Sequence, residues 1–195
     1  QGVSSAASDV YKRQDFVERG HAAMLDPTPL FDGWWYCSVH DLPAVTDPYV
    51  HYLTEGGRLG LDPSPLFDSN WYVRQIGGIP ADDTPLEHFL REGARVGLDA
   101  HPLFSTAYYL QQVDGPLGGL SAAEHHLAHG WRAGLDPSAL FSTTGYRRRY
   151  PDVAAHDIDP FSHFLKYGAV EGREGTALWA DEDYRRWFAG DVLVQ

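Results

Sequence analysis

The chain has 195 residues, with 15 Lys+Arg against 27 Asp+Glu and a formal net charge of −12. That balance argues against a phosphate-backbone partner, which needs a basic surface, so no nucleic acid is expected. A transmembrane helix is excluded because no apolar run of about 18 residues exists, and a disulfide framework because Cys37 is the only cysteine.

Hydrophobic content of 43% is enough to bury a core. Residues 1–14 lack the pattern found downstream. They form no secretory signal, because no apolar stretch follows a basic start. They resemble translated sequencing-adapter read-through and are set aside as an artefact expected to be disordered. The remaining chain, 15–195, reads as one helical-repeat domain. Both of its ends look cut, so it is expected to be a fragment of a longer protein.

The repeat is about 37 residues long. Leu-Phe pairs stand at Leu30 and Phe31, Leu66 and Phe67, Leu103 and Phe104, Leu140 and Phe141. Five residues after each Phe comes a tyrosine: Tyr36, Tyr72, Tyr109 and Tyr146. A fifth copy starts at Leu178 and Trp179 and reaches Tyr184. Ahead of each later Leu-Phe pair lies a GxxxG, at Gly56/Gly60, Gly93/Gly97, Gly130/Gly134 and Gly168/Gly172. Ahead of each of those lies a histidine: His51, His88, His125 and His163. The units are approximately 15–46, 47–83, 84–120, 121–158 and 159–195, the first entered midway near Phe16 and Val17.

Each unit predicts two short helices. The first opens at a cap followed by proline, as at Asp47 and Pro48, Thr84 and Pro85, or Asp159 and Pro160. There the proline's missing N–H costs nothing. Thr84 with Glu87, and Ser121 with Glu124, read as capping boxes. Leu86, Phe89 and Leu90 share one face. This helix is expected to stop at Gly56, Gly93, Gly130 or Gly168, taken as the left-handed C′ residue. A proline-bearing loop such as 60–67 then presents Leu66 and Phe67 to the core. The second helix opens at Asp32, Asp68, Ser105 or Ser142 and is expected to end before Pro43, Pro80, Pro116 or Pro151. No strand-like alternation survives over four residues. So short a hairpin cannot cover its own apolar face, but stacked neighbours can. The expected fold is all-α, with tandem two-helix repeats stacked as an irregular solenoid. The alternative is a compact helical bundle, since the loops are long for a regular solenoid.

Residues able to carry chemistry each have a plainer reading. His125 and His129 sit four apart on one helix face and are candidates for Zn²⁺. A metalloprotease motif needs Glu after the first His, where His126 stands. Because His125 takes the place of His51, His88 and His163, packing is the expected role, and no metal or cofactor is assigned. The aspartates Asp26, Asp62, Asp99 and Asp136 lack calcium-loop spacing and read as turn formers. Cys37 reads as a buried, inert thiol. Arg147, Arg148 and Arg149 form the basic run and read as a solvated helix face. Trp34 and Trp131 depart from the repeat and, if exposed, could stack on sugar rings. No P-loop, G-x-G-x-x-G or G-x-S-x-G motif occurs, so no catalytic residue is assigned.

Tyr150, Pro151, Asp152 and Val153, then Asp159, Pro160, His163, Phe164 and Leu165, then Gly168, Glu171, Gly172 and Arg173, carry a resemblance. The pattern resembles a bacterial repeat that accompanies glycosyltransferase domains in capsule, O-antigen and rhamnan-type polysaccharide synthesis proteins. Similar copies occur in large secreted calcium-binding proteins. The resemblance covers 15–195, although Pro-Asp-Val and Glu-Gly-Arg appear only in the copies just quoted. It implies a non-catalytic scaffold module with a protein or glycan partner. The compartment it implies is cytoplasmic or peripheral to the inner membrane, with secretion as the alternative. A carbohydrate-binding module and an accessory part of a glycosyltransferase are the competing readings.

Overall fold

A computed structural model describes residues 26–43 and 46–175. The adapter-like residues 1–14, Phe16 and Val17, and the fifth copy at Leu178, Trp179 and Tyr184 lie outside them.

Nine short α-helices follow in chain order among the described residues: α1 Gly33–Val39, α2 Pro48–His51, α3 Ser69–Ile76, α4 Pro85–Arg91, α5 Thr106–Leu110, α6 Ala122–His125, α7 Thr143–Arg149, α8 Pro151–Ala155 and α9 Pro160–His163. No strand forms among these residues, and the only β pairing is two isolated bridges, Ser64 with Phe67 and Ser138 with Phe141. The all-α expectation therefore holds. No helix of the described residues is long and apolar enough to cross a membrane.

The caps lie where the sequence puts them. Asp32, Asp68, Ser105 and Ser142 accept from the backbone N–H of Trp35, Trp71, Tyr108 and Gly145. Ser121 and Glu124 close a full capping box. Asp47 and Asp159 each accept from the two backbone N–H groups after their proline. A second acceptor supports α1, α3, α5 and α7. Asp26, Asp62, Asp99 and Asp136 take the N–H of the residue seven places on, at 3.0, 2.8, 2.7 and 2.7 Å. These aspartates tie loop to helix.

Two boundaries differ from expectation. Helices α2, α6 and α9 run on past the first glycine, the expected left-handed stop, with Gly57, Trp131 and Ala169 still right-handed. They widen into π turns at Tyr52–Gly56, His126–Gly130 and Phe164–Gly168, while α4 is followed by a tight 3₁₀ turn at Gly93–Val96. The left-handed glycines are the second of each pair, Gly60, Gly97, Gly134 and Gly172. There Leu61, Leu98, Leu135 and Arg173 donate back to the carbonyls of Gly56, Gly93, Gly130 and Gly168, a Schellman-type closure. Gly56, Gly93, Gly130 and Gly168 are not in the left-handed region and serve another purpose, described below. The second correction is at Pro151. It ends α7 as expected but also opens α8, because proline fits the first turn of a helix.

Neighbouring copies are sewn together by backbone. The N–H of Asp32, Asp68, Ser105 and Ser142 donates to a carbonyl in the next loop, at Pro63, Ala100, Pro137 and Gly175. Gln75 and Gln112 each clamp the backbone of the next loop's aspartate, Asp99 and Asp136, with both ends of the amide. The Leu-Phe pairs, the tyrosines and the aromatic residues of the first helices merge into one continuous core. Leu140 departs, being 46% exposed, so that copy is anchored in the core through Phe141. Contacts also bridge distant copies. Thr28 donates to Glu124, 96 residues away, at 2.6 Å. Lys166 Nζ lies 3.0 Å from Asp32 Oδ2, 134 residues away, and over the ring of Trp34.

Candidate functional site

The side chains with chemical capacity converge on one motif, built four times. A tyrosine from the second helix of one unit lies under the first helix of the next. Its hydroxyl shares a hydrogen bond with histidine Nδ1: Tyr36 with His51 at 2.9 Å, Tyr72 with His88 at 2.6 Å, Tyr109 with His125 at 2.7 Å and Tyr146 with His163 at 3.1 Å. The first glycine of each GxxxG completes it. A Cβ on Gly56, Gly93, Gly130 or Gly168 would overlap the hydroxyl oxygen of Tyr36, Tyr72, Tyr109 or Tyr146. The glycine is thus required by close approach and not by backbone freedom.

In the first two motifs the other imidazole nitrogen faces a carboxylate, His51 to Glu55 at 3.6 Å and His88 to Glu92 at 3.7 Å. Hydroxyl, imidazole and carboxylate in series resemble a proton relay. The electrostatics argue otherwise. Burial drives the Tyr72 hydroxyl up to about 12 and pushes Tyr36, Tyr109 and Tyr146 higher still, so each keeps its proton. All four tyrosines are essentially inaccessible to solvent. A nucleophile must be reachable and ionisable, and these are neither. The motif is a staple between units.

His125 belongs to the third staple. Its ring meets that of His129 edge-on with centroids 5.5 Å apart, and burial lowers its proton affinity. Among the described residues no group of three or more His, Cys, Asp or Glu is placed to hold a metal ion. Trp131 does not offer a face to sugar. It is 3% exposed, its indole N–H donates to Leu127, and Arg132 stacks over the ring at 4.1 Å. The indole bond back onto its own turn and the guanidinium stacked over the ring hold it there. Trp34 is partly exposed beneath Lys166. Cys37 is buried, and that burial raises its pKa. The basic run is engaged: Arg149 pairs with Glu174 at 2.9 Å, and Arg147 approaches the Trp131 ring.

A shallow groove of ≈ 360 Å³ opens between the end of the second copy's first helix and α3. Arg58, Asn70 and Asp83 supply its polar groups, and Val73, Ile79 and Pro80 its apolar floor. Asn70 donates to the carbonyl of Gly60, and Asp83 is held by Arg91.

Sequence reading named the tyrosines, histidines and glycines separately and missed that they touch. The signal was their shared period: all three recur together in every unit. Comparison with protein-family models, curated proteins and solved structures finds no match.

Proposed function

We propose that the chain is a non-catalytic scaffold module of a bacterial cell-envelope polysaccharide synthesis protein, and that it mediates protein interaction. One observation carries the reading. The groups that could do chemistry recur at equivalent positions and are spent on holding one copy to the next, as in Tyr72, His88 and Gly93. An enzyme concentrates such groups at one accessible place, whereas a scaffold repeats them. The recurring seam bonds support an irregular solenoid arrangement. The glycosyltransferase context rests on the resemblance of the repeat.

The test is to incubate the purified chain with sugar nucleotides and acceptor glycans, and separately to measure its binding to a capsule-type glycosyltransferase. Binding without turnover is expected. Turnover abolished by Tyr72→Phe would overturn the reading.

A second reading, glycan binding, is favoured by the groove where the polar side chains of Arg58 and Asn70 stand beside the apolar Val73, Ile79 and Pro80. Calorimetric titration with capsular and O-antigen glycans tests it. Heat that disappears in Asn70→Ala supports the reading, and no heat rejects it.

A further inference from the structure

One junction differs from its sisters. Helix α9 docks Phe161 among residues of the two preceding copies, with ring centroids 5.1 Å from Phe141, 6.0 Å from His126 and 6.3 Å from His101. Two residues on, His163 is buried in the fourth staple. Three imidazoles therefore surround one helix turn. At the positions of His126 and His101 the other copies carry no histidine. His126 replaces Tyr52, Phe89 and Phe164, and His101 replaces Thr28, Ser64 and Ser138.

This junction also gathers unsatisfied polar atoms. Of the five buried side-chain nitrogen and oxygen atoms without a hydrogen-bond partner among the described residues, three belong to it: both nitrogens of His126, and Nε2 of His163. His126 Nε2 lies 3.3 Å from Asp159 Oδ1, close in charge but misaligned for a hydrogen bond. Asp159 already accepts from the N–H of Phe161 and Ser162 and from the Ser162 hydroxyl. An unpaired buried polar group is costly, and water satisfies it only if the junction opens. The staple here, at 3.1 Å, is the longest of the four.

We propose that the docking of 160–168 onto the preceding copies is an acid-released joint, closed when His101 and His163 are neutral and opened as they take up protons. Enclosure by the chain pulls His101 down to about 3, although part of the residue reaches solvent, and His163 down to about 4. Once opened, each returns towards the ordinary imidazole range near 6.5. Opening therefore takes up protons, and acid drives it. Burial of His101 and His163 sets this sign, and the carboxylates beside His126 pull against it, Asp159 Oδ1 lying 3.3 Å from His126 Nε2. Around His126 stand Asp159, Asp136 on the following loop, Tyr109 on α5 and His125 on its own helix. Around His163, burial dominates and Arg173 adds to it, against Glu171, Asp152 and Asp159. Opening would release the last described copy from the array and alter the surface offered to a partner.

Hydrogen exchange on the full chain, at about pH 7.5 and about pH 5.5 and corrected for intrinsic rates, tests the joint. Opening of 160–168 is expected to rise about tenfold or more in acid, tenfold being one proton taken up per pH unit. The equivalent segment 85–93 is expected to change much less. His101→Ser, which installs the residue the chain uses at 64 and 138, should weaken the acid response. His126→Phe, which copies 89 and 164, should suppress opening at both pH values. Equal opening of 160–168 at the two pH values overturns the proposal, as does an acid response undiminished in His101→Ser. Nuclear magnetic resonance titration of the unaltered chain gives an independent reading. His101 and His163 should remain neutral at about pH 5.5 in the closed form, and ordinary titration near 6.5 would also overturn it.

Discussion

Gly93 and Gly97 are four residues apart and look alike in sequence, yet they answer to different physics. Gly93 lies under the Tyr72 hydroxyl with no room for a methyl group, while Gly97 turns the chain at φ +80° with nothing near its Cβ position. Gly93→Ala is therefore expected to cost about 1–3 kcal/mol through overpacking, and Gly97→Ala about 1 kcal/mol through left-handed strain. Urea unfolding midpoints check the order. Tyr109→Phe keeps the ring and removes only the bond to His125. It should destabilise by about 1 kcal/mol, more if the imidazole nitrogen finds no water.

At the level of helices, stability comes from ends and not from length. The described α-helices span four to eight residues, shorter than an isolated helix can sustain in water. Each is held by its caps and by the backbone bonds and core contacts it makes with neighbouring segments. The Ser121 and Glu124 pair illustrates this, because Glu124 closes the capping box and also accepts from Thr28 in a distant copy. Glu124→Ala should cost about 2–3 kcal/mol, since a cap and a buried acceptor are lost together. Asp68→Ala, which removes a single cap, should cost about 1 kcal/mol. Thermal unfolding followed by circular dichroism separates the two. The π turns have a local cause as well. The N–H groups of Gly57, Trp131 and Ala169 reach back five residues to Tyr52, His126 and Phe164, carrying the helix past the staple to the left-handed glycine.

Across the whole molecule, the core is aromatic and its polar partners are titratable, so stability should depend on pH. His163 is lowered in the fold, chiefly by burial. A lowered histidine contributes stability that is complete above its unfolded value of about 6.5 and is lost as pH falls towards its folded value. Stability should accordingly drop by about 2 kcal/mol between about pH 7 and about pH 5 from one such group. Urea denaturation across that window measures it, and a flat profile would contradict the assignment. Lys166→Met breaks the contact with Asp32 across 134 residues of chain. It is expected to cost about 1 kcal/mol, because the pair is only partly shielded from water.

The all-α class, the period, the caps and the core positions were legible in the sequence, because caps and apolar faces are set by residues a few places apart. Thr84 before Pro85, or Phe67 five residues ahead of Tyr72, needs no distant partner to be recognised. The role of the first glycine, the inward turn of Trp131, the Thr28 to Glu124 bond and the gathering of His101, His126 and His163 about one helix were not legible. Each depends on which surfaces meet when the copies pack, and that is decided by tertiary contact between residues from 15 to more than 100 positions apart.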